Sequence, residues 1–343
     1  MVTAVDALEN VMITMLDVAI CAGVSKATVS RVLNGKDVVR KEIKERVYKA
    51  IKETGYRPNL LAQQMTTQKT SMIGLVITNE VYNGPYFSTL FYNAAKYCEQ
   101  HNHRLIFADG KRTFEEEINA IDFLVGMKCA GVMVYTKYLS ACKLDKIVSS
   151  SPIPIIALNQ KLENNAESSV FINHYLGCLK MMDFLYGMGH SEIAYISGKK
   201  NSRSNTARQT AYLEKMAEYG RAVDNNMIAQ GSWNMQSGYE AAKELINNNS
   251  VFTAILAGND DMAFGVIKAL KEAGKRVPED ISVAGFDNAK MGNFFSPTLT
   301  TLDVPLEEMF RRAVESILDV HQDEGFSELS GTLVIRESVR KIN

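Results

Sequence analysis

The stretch "CAGVSKATVSRVLNGK", residues 21–36, decides how the start of the chain is read. Gly23 falls where a left-handed turn residue costs little. Upstream, Thr14 with Asp17 three residues on is a helix start of capping-box type. Met15, Leu16, Val18, Ala19 and Ala22 then lay an apolar stripe on a short helix. Downstream, Ser25 is a good N-cap with Thr28 at the third helical position. Val29, Val32 and Leu33 supply the buried face of a second helix, which Asn34-Gly35 stops. Two short helices joined by a Gly-containing turn form a helix-turn-helix. Such a unit aims the first side chains of its second helix, here Lys26, Ala27 and Thr28, at base edges. Arg31 lies on roughly the same face one turn later, where a guanidinium suits guanine.

A third amphipathic helix fits Lys41–Thr54, with Ile43, Val47, Ala50 and Ile51 inward. Gly55 ends it, Pro58 forbids its continuation, and Asn59 can cap a new apolar segment over residues 60–65. Six residues cannot sustain a helix unaided, so that segment is expected to need a partner.

Charge sets this head apart. The chain carries a net charge of −1, yet residues 12–69 hold 11 Lys and Arg against 5 Asp and Glu. Residues 70–343 hold 27 against 32. A basic head on a mildly acidic body points to a polyanion met by the head alone; a solvated helical face is the blander alternative. Hydrophobic residues at 46% and charged residues at 22% are ordinary for a globular chain. No apolar run approaches the length of a membrane span. Residues 1–12 lack Lys and Arg, so a secretory signal is not expected. Five Cys without CxxC spacing suit reduced thiols in a cytoplasmic protein better than disulfides or zinc.

Beyond the head, apolar β-branched runs at 72–77, 104–108, 130–135, 153–158, 193–197, 252–257 and 281–285 alternate with helical patterns at 87–100, 114–127, 174–188, 206–220, 236–248 and 260–274. Such alternation implies parallel sheets with helices on both faces. The number of units favours two doubly wound α/β lobes with a ligand cleft at the carboxyl ends of their strands. Asn159, Asn259, Asp260, Asp261 and Asp287 directly follow such strands. Asn and Asp there can equally serve as helix caps, and for Asp260 and Asp261 both readings stay open.

Catalytic constellations are missing. There is no GxxxxGK[ST], no GxSxG and no HExxH among His101, His103, His174, His190 and His321. These histidines are expected at the surface or in caps, and "RTFEEE" is expected to be a helix start with solvated acids. No cofactor, metal or enzymatic activity is expected.

The segments "TMLDVAICAGVSKATVSRVLNG" and "GYRPNLLAQQM", then "SMIGLVIT", "GHSEIAYISG", "SGYEAAKELI", "AGNDDMAFGVIKALKEAGKRVPEDISVAGFDN" and "SPTLTTLDVP", resemble the lactose-repressor/galactose-repressor family of bacterial transcription regulators. Within it, "SKATVSRVL", "FADGK" and "GNDDMA" resemble the asc-type β-glucoside operon repressors of enteric bacteria. The resemblance covers residues 14–338. It implies a helix-turn-helix headpiece before a periplasmic-binding-protein-like core, with crossovers near 172, 303 and 331. The expected organisation is an N-terminal extension (1–13), a headpiece (14–58), a hinge helix and linker (59–70), and an effector-binding and dimerisation core (71–343). Lobe 1 would take residues 71–172 and 304–331, and lobe 2 residues 173–303 and 332–340.

The implied function is a cytoplasmic, homodimeric repressor of a sugar-utilisation operon on near-palindromic operator DNA. DNA contacts are expected from Thr14, Ser25, Lys26, Ala27, Thr28, Arg31 and Asn34, with Leu61, Ala62 and Met65 in the hinge. The resemblance also implies that Asn159, Arg208, Asn259 and Asp287 hydrogen-bond the effector. Trp233, which could otherwise be core, would pack on it, and Tyr86 and Phe87 would meet it from the first lobe. Three positions depart from the family pattern. Ala211 stands for a usual Gly, Asn173-His174 for Asp-Asn at the crossover, and Met65 for the minor-groove Leu. An extracytoplasmic sugar-binding protein, or a sugar-processing enzyme with a DNA-binding head, is the alternative. Neither accounts for head, hinge and missing catalytic groups together.

Overall fold

A computed structural model describes residues 13–34, 38–57, 70–81, 85–221, 223–248, 251–320 and 327–342. The hinge positions Leu61, Ala62 and Met65, His321, and residues 1–12 lie outside the described residues. The chain divides into two compact units, Met1–Thr70 and Ser71–Asn343.

The first unit holds α1 (Met15–Ala22), α2 (Lys26–Leu33) and α3 (Lys41–Thr54). The Asp17 carboxylate accepts from both the backbone N–H and the hydroxyl of Thr14, at 2.8 Å each. Gly23 takes φ 62° and closes α1 in the left-handed conformation. Ser25 Oγ accepts from the Thr28 N–H at 3.1 Å and starts α2. Val18, Ala19, Ala22, Val29, Val32, Val47 and Ala50 close a small core, with Ile43 and Ile51 half-buried at its edge. Arg46 of α3 donates to the carbonyls of Ala22 (2.5 Å) and Gly23 (3.2 Å), placing a cation on the C-terminal end of α1, where the helix dipole favours it.

The second unit contains two six-stranded sheets. The first is built from β1 (Met72–Ile77), β2 (Arg104–Asp109), β3 (Val132–Tyr135), β4 (Ile155–Leu158), β5 (Ser169–Ile172) and β11 (Ser327–Leu329). Their order is β11-β5-β4-β3-β1-β2, all parallel. The second sheet holds β6 (Ile193–Ser197), β7 (Ile228–Gln230), β8 (Ala254–Ala257), β9 (Ser282–Phe286), β10 (Thr300–Asp303) and β12 (Thr332–Val334). Its order is β12-β10-β9-β8-β6-β7, with only the β10–β12 pair antiparallel. Every residue of β1, β6 and β8 is buried, because helices cover both faces of each sheet.

On the first sheet, α4 (Pro85–Gln100) and α11 (Leu306–Leu318) pack one face, through Leu90, Ala94, Met309 and Phe310. Helices α5 (Phe114–Gly126) and α6 (Ala141–Ser150) pack the other, through Ile121, Leu124 and Leu144. On the second sheet, α7 (His174–Gly187) and α8 (Arg203–Glu218) share a core with Tyr195 and Phe286. Helices α9 (Met235–Asn247) and α10 (Asp260–Glu272) cover the opposite face.

One acid of "RTFEEE" departs from the solvated reading. Glu115 is exposed, but Glu117 is 0% exposed. Its carboxylate accepts from the Thr136 hydroxyl and from the N–H groups of Lys137 (3.0 Å), Tyr138 (3.1 Å) and Leu139 (2.8 Å). A carboxylate so fully satisfied can be buried, and here it shapes the loop after β3.

Candidate functional site

The carboxyl ends of strands from both sheets converge on one cavity of about 310 Å³. Thr78 follows β1, Thr136 follows β3, Asn159 follows β4, and His174 opens α7 just after β5. From the second sheet come Trp233 after β7, Asn259 after β8 and Asp287 after β9, with Arg208 reaching in from α8. Doubly wound folds bind ligands at this end because the βα loops there are free to carry side chains.

Six of the seven expected effector residues line the cavity: Tyr86, Asn159, Arg208, Trp233, Asn259 and Asp287. The seventh, Phe87, is not among its walls. It packs with its ring 6.1 Å from that of Phe91 and 6.2 Å from that of Phe107, inside the first lobe. Neighbouring helical residues point about 100° apart, so the helix that turns Tyr86 inward turns Phe87 away.

Four of the wall residues are held in left-handed backbone: Asn159 (φ 54°), Asn201 (φ 64°), Trp233 (φ 69°) and Asp287 (φ 102°). Side chains other than Gly pay for this conformation, and such strain collects where a side chain must be aimed. The Trp233 indole lies flat enough on the chain that a Cβ at Gly198 would sit 2.0 Å from its ring. Only glycine permits that approach.

Polar chemistry divides across the cavity. Arg208 is buried, with its guanidinium 4.3 Å above the Phe286 ring and its NH2 3.6 Å from Asp287 Oδ1. It donates to the Gly258 carbonyl and to His174 Nδ1 at 3.2 Å, while its Nε has no partner among the described residues. Asn259 lines the cavity and caps a helix as well. Its Oδ1 caps α10 by accepting from the Met262 N–H at 3.0 Å, and its Nδ2 donates to the Trp233 carbonyl at 3.4 Å.

The two neighbouring aspartates separate. Asp260 accepts from the Thr301 hydroxyl and the Ala289 N–H, each at 2.7 Å, and is structural. Asp261 lines the cavity with a buried Oδ1 that has no partner among the described residues. Burial pushes the Asp261 carboxyl up to about 6 and that of Asp287 up to about 7, the latter against the pull of Arg208.

Sequence reasoning left out Tyr135 and Arg203, held Asp261 open between cavity and cap, and expected His174 at the surface or in a cap, yet all four line the cavity. His174 is buried, not a surface or cap histidine: Arg208 and Asn159 both bond its ring. Burial and the Arg208 charge hold its basicity well below the ordinary range.

A pH effect follows with a definite sign. The Asp287 carboxyl is raised in the fold from an ordinary value near about 4, so its contribution to stability is full at low pH and is lost as pH rises through about 7. The ionisable groups facing it include Arg208 of α8, Asp260 and Asp261 of α10 and Asp303 of β10. Thermal melts of the ligand-free protein should therefore show the parent losing ground to Asp287→Asn between about pH 4 and 7. A gap between the two that stays constant with pH would contradict this.

On the headpiece, Ser25, Lys26, Ala27 and Arg31 are exposed, while Thr28 and Asn34 are half-buried. The hydroxyls of Ser25 and Thr28 bond each other at 2.9 Å, and Asn34 Nδ2 donates to Ser30 Oγ at 3.3 Å. Those side chains serve the helix ends. Lys26, Ala27 and Arg31 leave an outward face on α2. Thr14 is exposed beside α1, its hydroxyl on Asp17.

A helix-turn-helix ahead of a two-sheet parallel α/β core with its cavity between strand ends defines a ligand-regulated DNA-binding protein. Comparison with known proteins agrees. The profile of bacterial regulatory proteins of the lacI family matches residues 14–59, and that of the periplasmic binding protein-like domain matches residues 182–339. The HTH-type transcriptional regulator AscG of Escherichia coli (strain K12) is 40% identical over 331 residues, 96% of this chain and 98% of AscG. The structure of the lac repressor dimer bound to operator and the anti-inducer ONPF superposes with a TM-score of 0.84. It is 26% identical and covers 96% of this chain and 99% of that one. The transcriptional regulator CelR–cellobiose complex gives a TM-score of 0.67 at 26% identity, covering 95% and 99%. The chain belongs to the lacI family of bacterial regulatory proteins, and so is a DNA-binding transcriptional regulator and not an enzyme. No helix among its described residues is long and apolar enough to cross a membrane.

Proposed function

We propose that this protein is a cytoplasmic, homodimeric repressor of a sugar-utilisation operon, with a sugar or glycoside bound in the cavity setting its affinity for a near-palindromic operator. The single observation that carries the reading is the set of groups converging on the cavity. Asp287 and Asp261 supply paired acceptors, Arg208 and Asn259 supply polar contacts, and Trp233 supplies an apolar face. Vicinal hydroxyls need donors and acceptors in close pairs, and the ring C–H face of a sugar needs an aromatic surface. Asn159 and Tyr86 complete the set from the first lobe. A thermal-shift screen with sugars and glycosides, followed by gel shifts on the chain's own upstream DNA with and without the hits, tests the proposal. Retardation that does not depend on sequence, or that no sugar alters, would refute it.

On DNA, Lys26, Ala27 and Arg31 are the readers. The Ala27 methyl packs on a thymine methyl, Arg31 pairs with guanine, and Thr14, Ser25, Thr28 and Asn34 support them near the backbone. Among the described residues Arg31 has no hydrogen-bond or ion-pair partner, so its guanidinium is free for this. Arg31→Ala is expected to cost roughly 1–3 kcal/mol on the operator and little on random DNA. Equal losses on both would make Arg31 a phosphate contact.

A further inference from the structure

A chain of hydrogen bonds crosses the cavity floor from one sheet to the other. Arg208 NH2 meets His174 Nδ1 at 3.2 Å, and His174 Nε2 meets Asn159 Oδ1 at 3.0 Å. Asn159 Nδ2 donates to the Tyr135 hydroxyl at 3.2 Å, and that hydroxyl meets the Tyr86 hydroxyl at 3.1 Å. Proton counting fixes the direction. A guanidinium has donors only, so His174 Nδ1 must accept and its proton must sit on Nε2. Asn159 Oδ1 must then accept, which turns its NH2 towards Tyr135. Tyr135 oxygen is thus already an acceptor. One phenolic proton fills the bond between the two tyrosines, whichever ring gives it. The other phenolic proton has no acceptor among the described residues, and both rings line the cavity.

We propose that His174 is a positioning residue that passes this polarity from Arg208 to the tyrosines, so that the Tyr86–Tyr135 pair presents a hydrogen-bond donor and takes an acceptor oxygen of the effector. The inference rests on the effector reading above and adds the orientation of the bound molecule. Its acceptor oxygen faces Tyr86 and Tyr135, and its hydroxyl donors face Asp261 and Asp287. A group with donors alone, such as an ammonium in place of that oxygen, is rejected at the tyrosine end. Burial and the facing Arg208 keep His174 neutral, as the chain requires.

The first test needs no ligand. Long-range proton–nitrogen spectra of the histidine-labelled protein should show His174 with a bare Nδ1 and a protonated Nε2 from about pH 5.5 to 8. A proton on Nδ1, or titration to imidazolium in that range, overturns the proposal. The second test uses methyl β-D-glucopyranoside as the probe. His174→Leu and the double variant Tyr86→Phe with Tyr135→Phe should each weaken binding roughly tenfold or more. His174→Gln, which keeps an acceptor and a donor, should restore most of it. A purely structural histidine would not discriminate between Leu and Gln once both variants melt alike. Binding by His174→Leu equal to the parent overturns the proposal. If the parent fails to bind this and every other sugar of the panel, the effector reading falls, while the imidazole signature still decides the relay.

Discussion

Operator binding by Asp287→Asn is expected to ignore sugar, while its sugar-free affinity for operator stays close to that of the parent. The reason is geometric. Asp287 follows β9 at φ 102°, a conformation that Asn tolerates better than most residues, so the exchange removes charge and leaves the backbone in place. Its carboxylate lies 3.6 Å from Arg208 NH2, inside the cavity and against the second lobe. A carboxylate there accepts from two hydroxyls at once, and hydrogen bonds to a charged group are worth about 1.5–3 kcal/mol each. Losing them weakens a sugar by roughly 10- to 100-fold or more. A ligand moves an equilibrium only through its differential affinity for the two states, so the coupling disappears with the binding. The competing role is local: the Asp287 N–H donates to the Leu302 carbonyl at 2.9 Å, and the residue could serve only to shape that turn. The variant would then melt earlier and still answer to sugar. Operator titrations with and without sugar, beside a melting curve, separate the two. An intact sugar response would end the effector role of Asp287.

How far such a site can be read from sequence depends on which features are local. Runs such as 72–77 and 193–197 coincide with strands because both sheet faces are covered and the apolar pattern is unbroken. Lys41–Thr54 shows itself through its stripe and its Gly55 stop. Strands β7, β11 and β12 have three residues each, too few for any period to emerge. Helix α11 is different. Leu306, Met309, Phe310, Ala313, Val314 and Ile317 recur at helical spacing and are all buried, so its signal is legible in the sequence although the strand–helix alternation set out above does not include it. Within the cavity, strand-end Asn and Asp residues announce themselves. His174 and Tyr135 do not, because each matters only through a partner from another strand end. Asp260 and Asp261 are adjacent and chemically alike. Only the packing of Thr301 and Ala289 against Asp260 decides that it is structural and that its neighbour faces the cavity.

Arg203→Ala is expected to loosen the two lobes without ligand present. Arg203 begins α8 on the second sheet, yet its guanidinium donates to three carbonyls of the loop after β3 on the first: Thr136 (2.9 Å), Leu139 (2.8 Å) and Lys137 (3.4 Å). The loop is prepared for a cation. Its N–H groups turn inward onto the buried Glu117, which leaves these carbonyls pointing outward with a negative charge behind them. Burial lowers the basicity of Arg203, and Tyr135 and Glu117 act against that. Opening the cavity would hydrate both sides, so the net worth of the contact is that of one or two charge-assisted bonds, about 1.5–3 kcal/mol. Its loss should shift the closed-to-open ratio roughly 10- to 100-fold, enough to change which lobe angle dominates. Trp233 is the only tryptophan of the chain and lines this cavity, so its emission should shift to the red in the variant, and small-angle scattering should show a larger radius of gyration. Glu117→Gln, which lies outside the cavity wall, should produce part of the same change and add little to Arg203→Ala, because both act on one loop. If scattering and Trp233 emission in Arg203→Ala match the parent, the lobe angle is set by the strand crossovers and the His174 relay, and Arg203 is an ornament of the closed form.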